Sequence, residues 1–361
     1  MPVSPDTGEG GGAGAGEPLA AVLSRRIAAT GPVSVHDYME AANRAYYAGG
    51  TAIGAAGDFV TAPEVSQMFG EMAGLWLADL WLRAGSPGDA IYAELGPGRG
   101  TLAADALRAA GQFGLKPPVH LVETSPRFRA AQSELLPGAR FHDSATWLPA
   151  APTLLVANEF FDALPIRQAI LTYAGWRERV VVRGEMGRFA ALAGTQAVQP
   201  PVPARLACPP GSIFEWRPAA TATMMKLTHQ VVRHGGALLV IDYGQDGPRT
   251  GDTLQAVERH RRADPFAEPG TRDLTAHVDF AALAEAARGA GGAVSGPVGQ
   301  GDWLCRLGID ARLDALAHAN PERATGLRAD RNRLVDPDQM GELFRVMAVT
   351  APGWPLPEGF A

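Results

Sequence analysis

Glu94-Leu95-Gly96-Pro97-Gly98-Arg99-Gly100-Thr101 decides the fold, because an apolar strand must turn there into a helix. Ahead of it, Ala90-Ile91-Tyr92-Ala93 is short, apolar and set off by the turn signal Ser86-Pro87-Gly88. Behind it, Leu102, Ala106, Leu107 and Ala110 recur at helical spacing. Glycines at alternate positions let the backbone take positive φ and pass close to a ligand. A ligand placed there meets the free N–H groups that open the helix.

The spacing separates two kinds of ligand. A dinucleotide fingerprint runs Gly-x-Gly-x-x-Gly, with a pyrophosphate at the helix N-terminus. This loop runs Gly-x-Gly-x-Gly, at Gly96, Gly98 and Gly100, and Glu94 precedes it. An acid on the ligand side repels a pyrophosphate but suits a cation such as the amino group of S-adenosylmethionine. The next strand, Val119-His120-Leu121-Val122-Glu123, ends in an acid able to take both ribose hydroxyls. Glu123 would serve NAD equally, so Glu94 and the glycine pattern favour the methyl donor.

Strands and helices then alternate, which predicts a parallel sheet. The expected strands are Ala90–Leu95, Val119–Glu123, a short one at Arg140-Phe141, Thr153–Ala157 and Ala237–Tyr243. An irregular insert, about Ile166 to Ala220, separates the last two and opens with a hairpin around Ala174-Gly175. Val294–Val298 and Trp303–Leu307 are expected to pair antiparallel at the sheet edge, and Asp310 to Met347 to be mostly helical. Thr61-Ala62-Pro63-Glu64 reads as a capping box opening one long helix whose Met and aromatic stripe is core. The expected fold is α/β, a doubly wound, mostly parallel sheet with an antiparallel edge hairpin. The expected divisions are a disordered tail (1–17), an N-terminal helical and lid region (18–86), a first core part (87–165), an inserted substrate-side segment (166–220), a second core part (221–310) and a C-terminal helical region (311–361).

Composition narrows the function. The 361 residues carry a net charge of −6, with only two lysines, Lys116 and Lys226, and no basic cluster fit for nucleic acid. Arg259-His260-Arg261-Arg262 is expected to be a solvated helix end. No apolar run approaches the ~18–20 residues that span a bilayer. Residues 1–17 show neither signal nor transit character, so a bacterial cytoplasmic location is expected. Cys208 and Cys305 are isolated, and the histidines show no paired metal spacing, so no metal is expected.

In an open α/β sheet, ligands bind beyond the carboxyl ends of the strands. After the third strand, Asp143 is placed to accept from an adenine amine or to cap a helix. After the fourth stands Asn158-Glu159-Phe160-Phe161-Asp162, and after the fifth Asp242-Tyr243-Gly244. Methyl transfer is in-line displacement, so the enzyme mainly positions a nucleophile and excludes water. Glu159 and Asp162 are acids beside two aromatics that could wall a side-chain tunnel. Acids of this kind can grip a guanidinium bidentately and help take its proton; their alternative is to cap the next turn. Asn158 joins the donor-binding group. Asp58 is the acid on the Gly57–Gln67 segment best placed to face the donor or the guanidinium, with that segment as a lid.

These segments together resemble the MidA-like proteins, class I S-adenosylmethionine-dependent methyltransferases of bacteria and mitochondria. The resemblance rests on Gly57–Gln67, Glu94–Gly100, Asn158–Pro165, Val240–Gly244 and Asp273–Phe280, in order, and covers about Ala20 to Phe344. It implies a class I Rossmann-like fold and protein-arginine N-methylation, symmetric in the mitochondrial relatives, which assemble respiratory complex I. It also adds His277 to the catalytic group of Glu159 and Asp162, and implies a protein substrate, a complex I subunit homologue being one candidate. One departure stands out: Asn43-Arg44-Ala45 precedes Tyr46-Tyr47 where the family has His-Pro-x-x-Gly-Tyr-Tyr. The competing readings are a donor-binding assembly chaperone, a methyltransferase acting on another nitrogen, and an NAD oxidoreductase. The oligomeric state is open, a homodimer included.

Overall fold

The computed structural model describes residues 17–49, 61–258 and 261–360. The expected tail and the Asp58 assignment fall outside the described residues, Glu17 apart. Seven strands of the central sheet are β1 (Ile91–Leu95), β2 (Val119–Val122), β3 (Arg140–His142), β4 (Thr153–Asn158), β5 (Gly236–Gln245), β6 (Ala293–Gly299) and β7 (Phe344–Thr350). They lie in the order β3-β2-β1-β4-β5-β7-β6, with the short Val278–Asp279 strand pairing on β5 as well. Strands β1 to β5 run parallel, whereas β7 is antiparallel to both β5 and β6. The order reverses between β1 and β4, and that crevice is where an open α/β sheet takes ligands.

Side chains of the inner strands alternate between two apolar layers. Tyr92, Leu154, Val156, Leu239 and Ile241 join one cluster, and Ala93, Leu155, Ala157, Leu238 and Val240 the other. The first layer is covered by helices α1 (Gln67–Arg83) and α2 (Thr101–Ala110) and by C-terminal helices; the second is covered by α3 (Pro218–His234) and α4 (Phe280–Gly289). In α1, Met68, Phe69, Met72, Trp76 and Leu80 are fully buried. Each such burial contributes roughly 1.5–3 kcal/mol, which is what holds the helix in place.

A second sheet of five strands forms from Val33–Ser34, Arg167–Thr172, Gly175–Arg183, Phe189–Ala197 and Ile213–Trp216. The helices Leu19–Thr30 and Val35–Gly49 pack on it through Leu23, Tyr38 and Met39. The N-terminal segment is thereby fastened to the insert.

Four expectations change. Trp303–Leu307 is not a strand: it lies in the helix Gln300–Leu307, burying Trp303 and Leu304. The partner of β6 is β7, from the segment expected to be helical; Val346 to Val349 are fully buried between β5 and β6. The capping box does not form, because Thr61 makes no side-chain cap bond and a four-residue helix, Ala62–Val65, stops at Ser66. Ser66 then caps α1, its hydroxyl accepting from the Met68 N–H. Finally, Arg261–Ala263 is a strand paired with Gln255–Glu258, not a helix end.

Candidate active site

A cavity of about 610 Å³ opens at the carboxyl ends of β1 and β4. The loop after β1 forms one wall. Gly96, Gly98 and Gly100 all have positive φ, at 57°, 54° and 87°. No heavy atom lies within 4 Å of where a Gly98 Cβ would stand, so the turn leaves open space beside its backbone. Gly100 differs from the expectation, because it does not line the cavity. It opens α2 in a left-handed conformation, and a Cβ there would meet Gln132 at 3.4 Å. Its role is packing. Gln132, fully buried, donates to the Gly98 carbonyl at 2.6 Å and steadies the loop.

Glu94, Glu123 and Asp143 all reach the cavity wall. Glu94 is buried and accepts from the Tyr92 hydroxyl at 2.5 Å; burial pushes its pKa up to about 7. Glu123 follows β2, its carboxyl accepts from the Ser125 N–H at 2.7 Å, and burial raises its pKa. Asp143 is exposed at the rim and pairs with Arg129 at 2.5 Å, and Ser144 rather than Asp143 caps the turn that follows.

The turn after β4 supplies the opposite wall. Asn158, Glu159, Phe160 and Asp162 line it, whereas Phe161 is fully buried in the core, so one aromatic rather than two faces the cavity. Glu159 adopts φ 49°, a left-handed conformation uncommon for a non-glycine residue. Among the described residues its carboxyl accepts only from the Asn158 amide at 3.3 Å and the Ala62 N–H at 3.4 Å, both long. Among the described residues no basic side chain pairs with it. Burial, reinforced by Asp162, pushes its pKa up to about 8. Burial raises Asp162 to about 6.

His277 is the catalytic assignment that the structure does not bring to the site. Thr275 lines the cavity, but Val278 then joins the central sheet beside Gly244. That step turns His277 away, leaving its ring edge-on to Tyr243 at 5.6 Å while its backbone N–H donates to the Thr253 hydroxyl.

Other residues, read from the sequence as cap or motif positions, also enter the cavity wall. Glu64 accepts from the Thr101 hydroxyl at 2.6 Å and lies 3.8 Å from Arg99, tying the Ala62–Val65 helix to the glycine loop. In Val35–Gly49, Asn43 donates to the carbonyls of Ala163 and Leu274, and Tyr47 donates to Asp273 at 2.9 Å. The departure at Asn43 is thus a wall of the cavity. Only the tertiary packing of that helix reveals it.

Eight carboxyl side chains line the cavity against three basic ones, a lining that favours a cationic ligand over an anionic one. S-adenosylmethionine fits this site on the structure's own terms. The Gly98 turn has room for it, the buried Asn158 Oδ1 has no partner among the described residues, and the acids suit its charges. Gly96, Gly98, Glu94 and Glu123, all on the cavity wall, would hold it. When bound, it supplies a methyl group activated by the adjoining sulfonium.

The strand order and this acidic, glycine-walled crevice define a class I S-adenosylmethionine-dependent methyltransferase. Residues 72–298 match the family described as "Putative S-adenosyl-L-methionine-dependent methyltransferase", and the chain belongs to that family. It is 35% identical to the Drosophila melanogaster protein arginine methyltransferase NDUFAF7 homolog, mitochondrial, over 92% of this chain and 84% of that one. It is 34% identical to the Danio rerio protein arginine methyltransferase NDUFAF7, mitochondrial, over 91% and 85%. A Burkholderia thailandensis crystal structure bound to S-adenosyl-homocysteine superposes with a TM-score of 0.83 at 30% identity, over 95% of this chain and 94% of that one.

Proposed function

We propose that this methyltransferase acts on the guanidinium nitrogens of arginine in a protein substrate. The observation that carries the reading is Glu159, a carboxyl at the cavity wall with no cationic partner among the described residues and a pKa raised to about 8. A guanidinium entering beside it restores the charge balance and draws the carboxyl into its ionised form. Two charge-assisted N–H···O bonds then fix the plane of the guanidinium and turn a nitrogen toward the methyl group. Asp162, next along the wall, is placed to receive the proton released on transfer. Phe160 and the closed apolar strands behind it keep water from competing.

The names of the relatives support arginine as acceptor. We further infer symmetric dimethylation, a complex I subunit homologue as substrate, and the inserted segment as the substrate side, from the family resemblance. No helix among the described residues is long and apolar enough to cross a membrane. The cytoplasmic location belongs to the same proposal, the named relatives being mitochondrial.

The test is a labelled-methyl screen of a hypomethylated lysate with the purified chain, followed by mass spectrometry. Label on arginine is the expected result. Label confined to glutamine, lysine or nucleic acid would replace the acceptor, and binding of donor without any transfer would favour the assembly-chaperone reading.

A further inference from the structure

The turn that carries Glu159 is held from behind by a carboxyl group that never reaches the cavity. Asp242, in β5, is fully buried and forms no part of the cavity wall. Its Oδ2 accepts from the N–H groups of Phe161 at 2.9 Å and Asp162 at 3.2 Å, and its Oδ1 accepts from its neighbour Tyr243 at 2.9 Å. The residue before it completes the grip, since the Ile241 carbonyl accepts from the Glu159 N–H at 2.8 Å. Two consecutive residues of β5 therefore hold the turn on either side of Phe160. A left-handed backbone at a glutamate persists only where its surroundings over-determine it. Here those surroundings are one strand.

The choice of residue is informative. A carboxyl group accepts at both oxygens in either protonation state, whereas an asparagine offers one accepting oxygen and an NH₂. An asparagine at position 242 would have to set that NH₂ against one of the three N–H groups. Aspartate is the isostere that satisfies all three.

We propose that Asp242 is a positioning residue for methyl transfer, locking the turn after β4 so that the Glu159 carboxyl faces the acceptor nitrogen. The proposal rests on the reading of Glu159 given above. It acts through the turn that bears Glu159 and Asp162, and leaves the glycine loop after β1 and Glu123 after β2 untouched.

The experiment compares the full chain with Asp242→Asn, Glu159→Gln and the double variant. Three quantities are read: thermal midpoint, S-adenosylhomocysteine affinity, and initial rate of labelled-methyl transfer to arginine in a hypomethylated lysate across lysate concentrations. Asp242→Asn is expected to slow transfer at saturating lysate by about tenfold, the size of one lost charged hydrogen bond. Product affinity is expected to stay within about twofold, and the double variant to be no slower than Glu159→Gln, as for residues that act as a unit. A wild-type rate for Asp242→Asn overturns the proposal, as does a parallel fall in affinity and rate. A double variant slower than Glu159→Gln by the full Asp242→Asn factor also overturns it, while leaving Glu159 in place. A wild-type rate for Glu159→Gln instead removes the reading beneath it. Should Asp242→Asn not fold, Asp242→Ser, which keeps one small acceptor, is measured in its place; failure of both to fold makes Asp242 structural and overturns the proposal.

Discussion

Replacing Glu159 by glutamine isolates charge from shape. The side chain keeps its length, and its amide oxygen can keep the two long bonds from Ala62 and Asn158, at 3.4 and 3.3 Å. What disappears is the negative charge beside an incoming guanidinium. Losing one charged hydrogen bond costs roughly 1.5–3 kcal/mol, which is about 10- to 160-fold in rate. The structure points away from any cost to stability, because the wild-type carboxyl is already pushed toward its neutral form by burial. Donor affinity is expected to stay within about twofold, since Glu94, Glu123 and the glycine loop lie on other strands. The assay pairs single-turnover transfer from labelled S-adenosylmethionine with calorimetry of S-adenosylhomocysteine. Normal transfer by the variant would refute the reasoning and leave Glu159 as a turn residue. A matching loss of donor affinity would refute it too, by placing Glu159 in the donor site.

Gly98→Val is expected to abolish S-adenosylhomocysteine binding in a folded protein, because φ 54° is unfit for a β-branched residue and its side chain enters the open space of the donor wall; calorimetry with circular dichroism checks it. The rate per free enzyme, kcat/KM, is expected to rise with pH and level off above about 8 as Glu159 ionises, and to lose that rise in Glu159→Gln. The same raised pKa makes the folded state bind the extra proton between the ordinary carboxyl range and about 8. Stability contributed by Glu159 therefore falls as pH rises through that window, and denaturant titrations of Glu159→Gln should lack this fall. Glu71 lies buried in α1; although burial pulls its pKa upward, Arg312 and Arg108 hold it below the ordinary value. Its contribution is present at neutral pH and lost as pH falls through the depressed pKa. Glu71→Gln is expected to cost about 1–3 kcal/mol in urea unfolding, with both arginines partly solvated.

Periodicity and turn chemistry make most of the central sheet legible before any coordinates exist. The strand before Gly96, those ending at Glu123 and Asn158, and the long strand through Asp242 are apolar runs closed by polar residues, and that pattern is a local property. The glycine spacing and Glu94 likewise identify the donor without a neighbour in view. The resemblance of five separated segments adds the family, which no single loop carries.

What local pattern does not contain is which distant segments meet. Phe344–Thr350 reads as part of a helical tail, yet it slots between β5 and β6 because only there are both its faces buried and its backbone groups paired. Trp303, Cys305 and Leu307 alternate as strand residues do, yet burial of the adjacent Trp303 and Leu304 against the C-terminal helices selects the helix. His277 sits in a matching motif but is turned aside when Val278 joins the sheet. Asn43 departs from the family's motif and Tyr47 keeps it, and both become cavity wall only because their helix docks on the Leu274 strand. Asp242 looks like one more acid at a strand end until three N–H groups converge on it. Residue type and short spacing were enough for the parallel strands, the donor and the family. The tertiary structure alone decided the edge of the sheet and the acceptor wall, since both are built from hydrogen bonds between residues up to 231 positions apart.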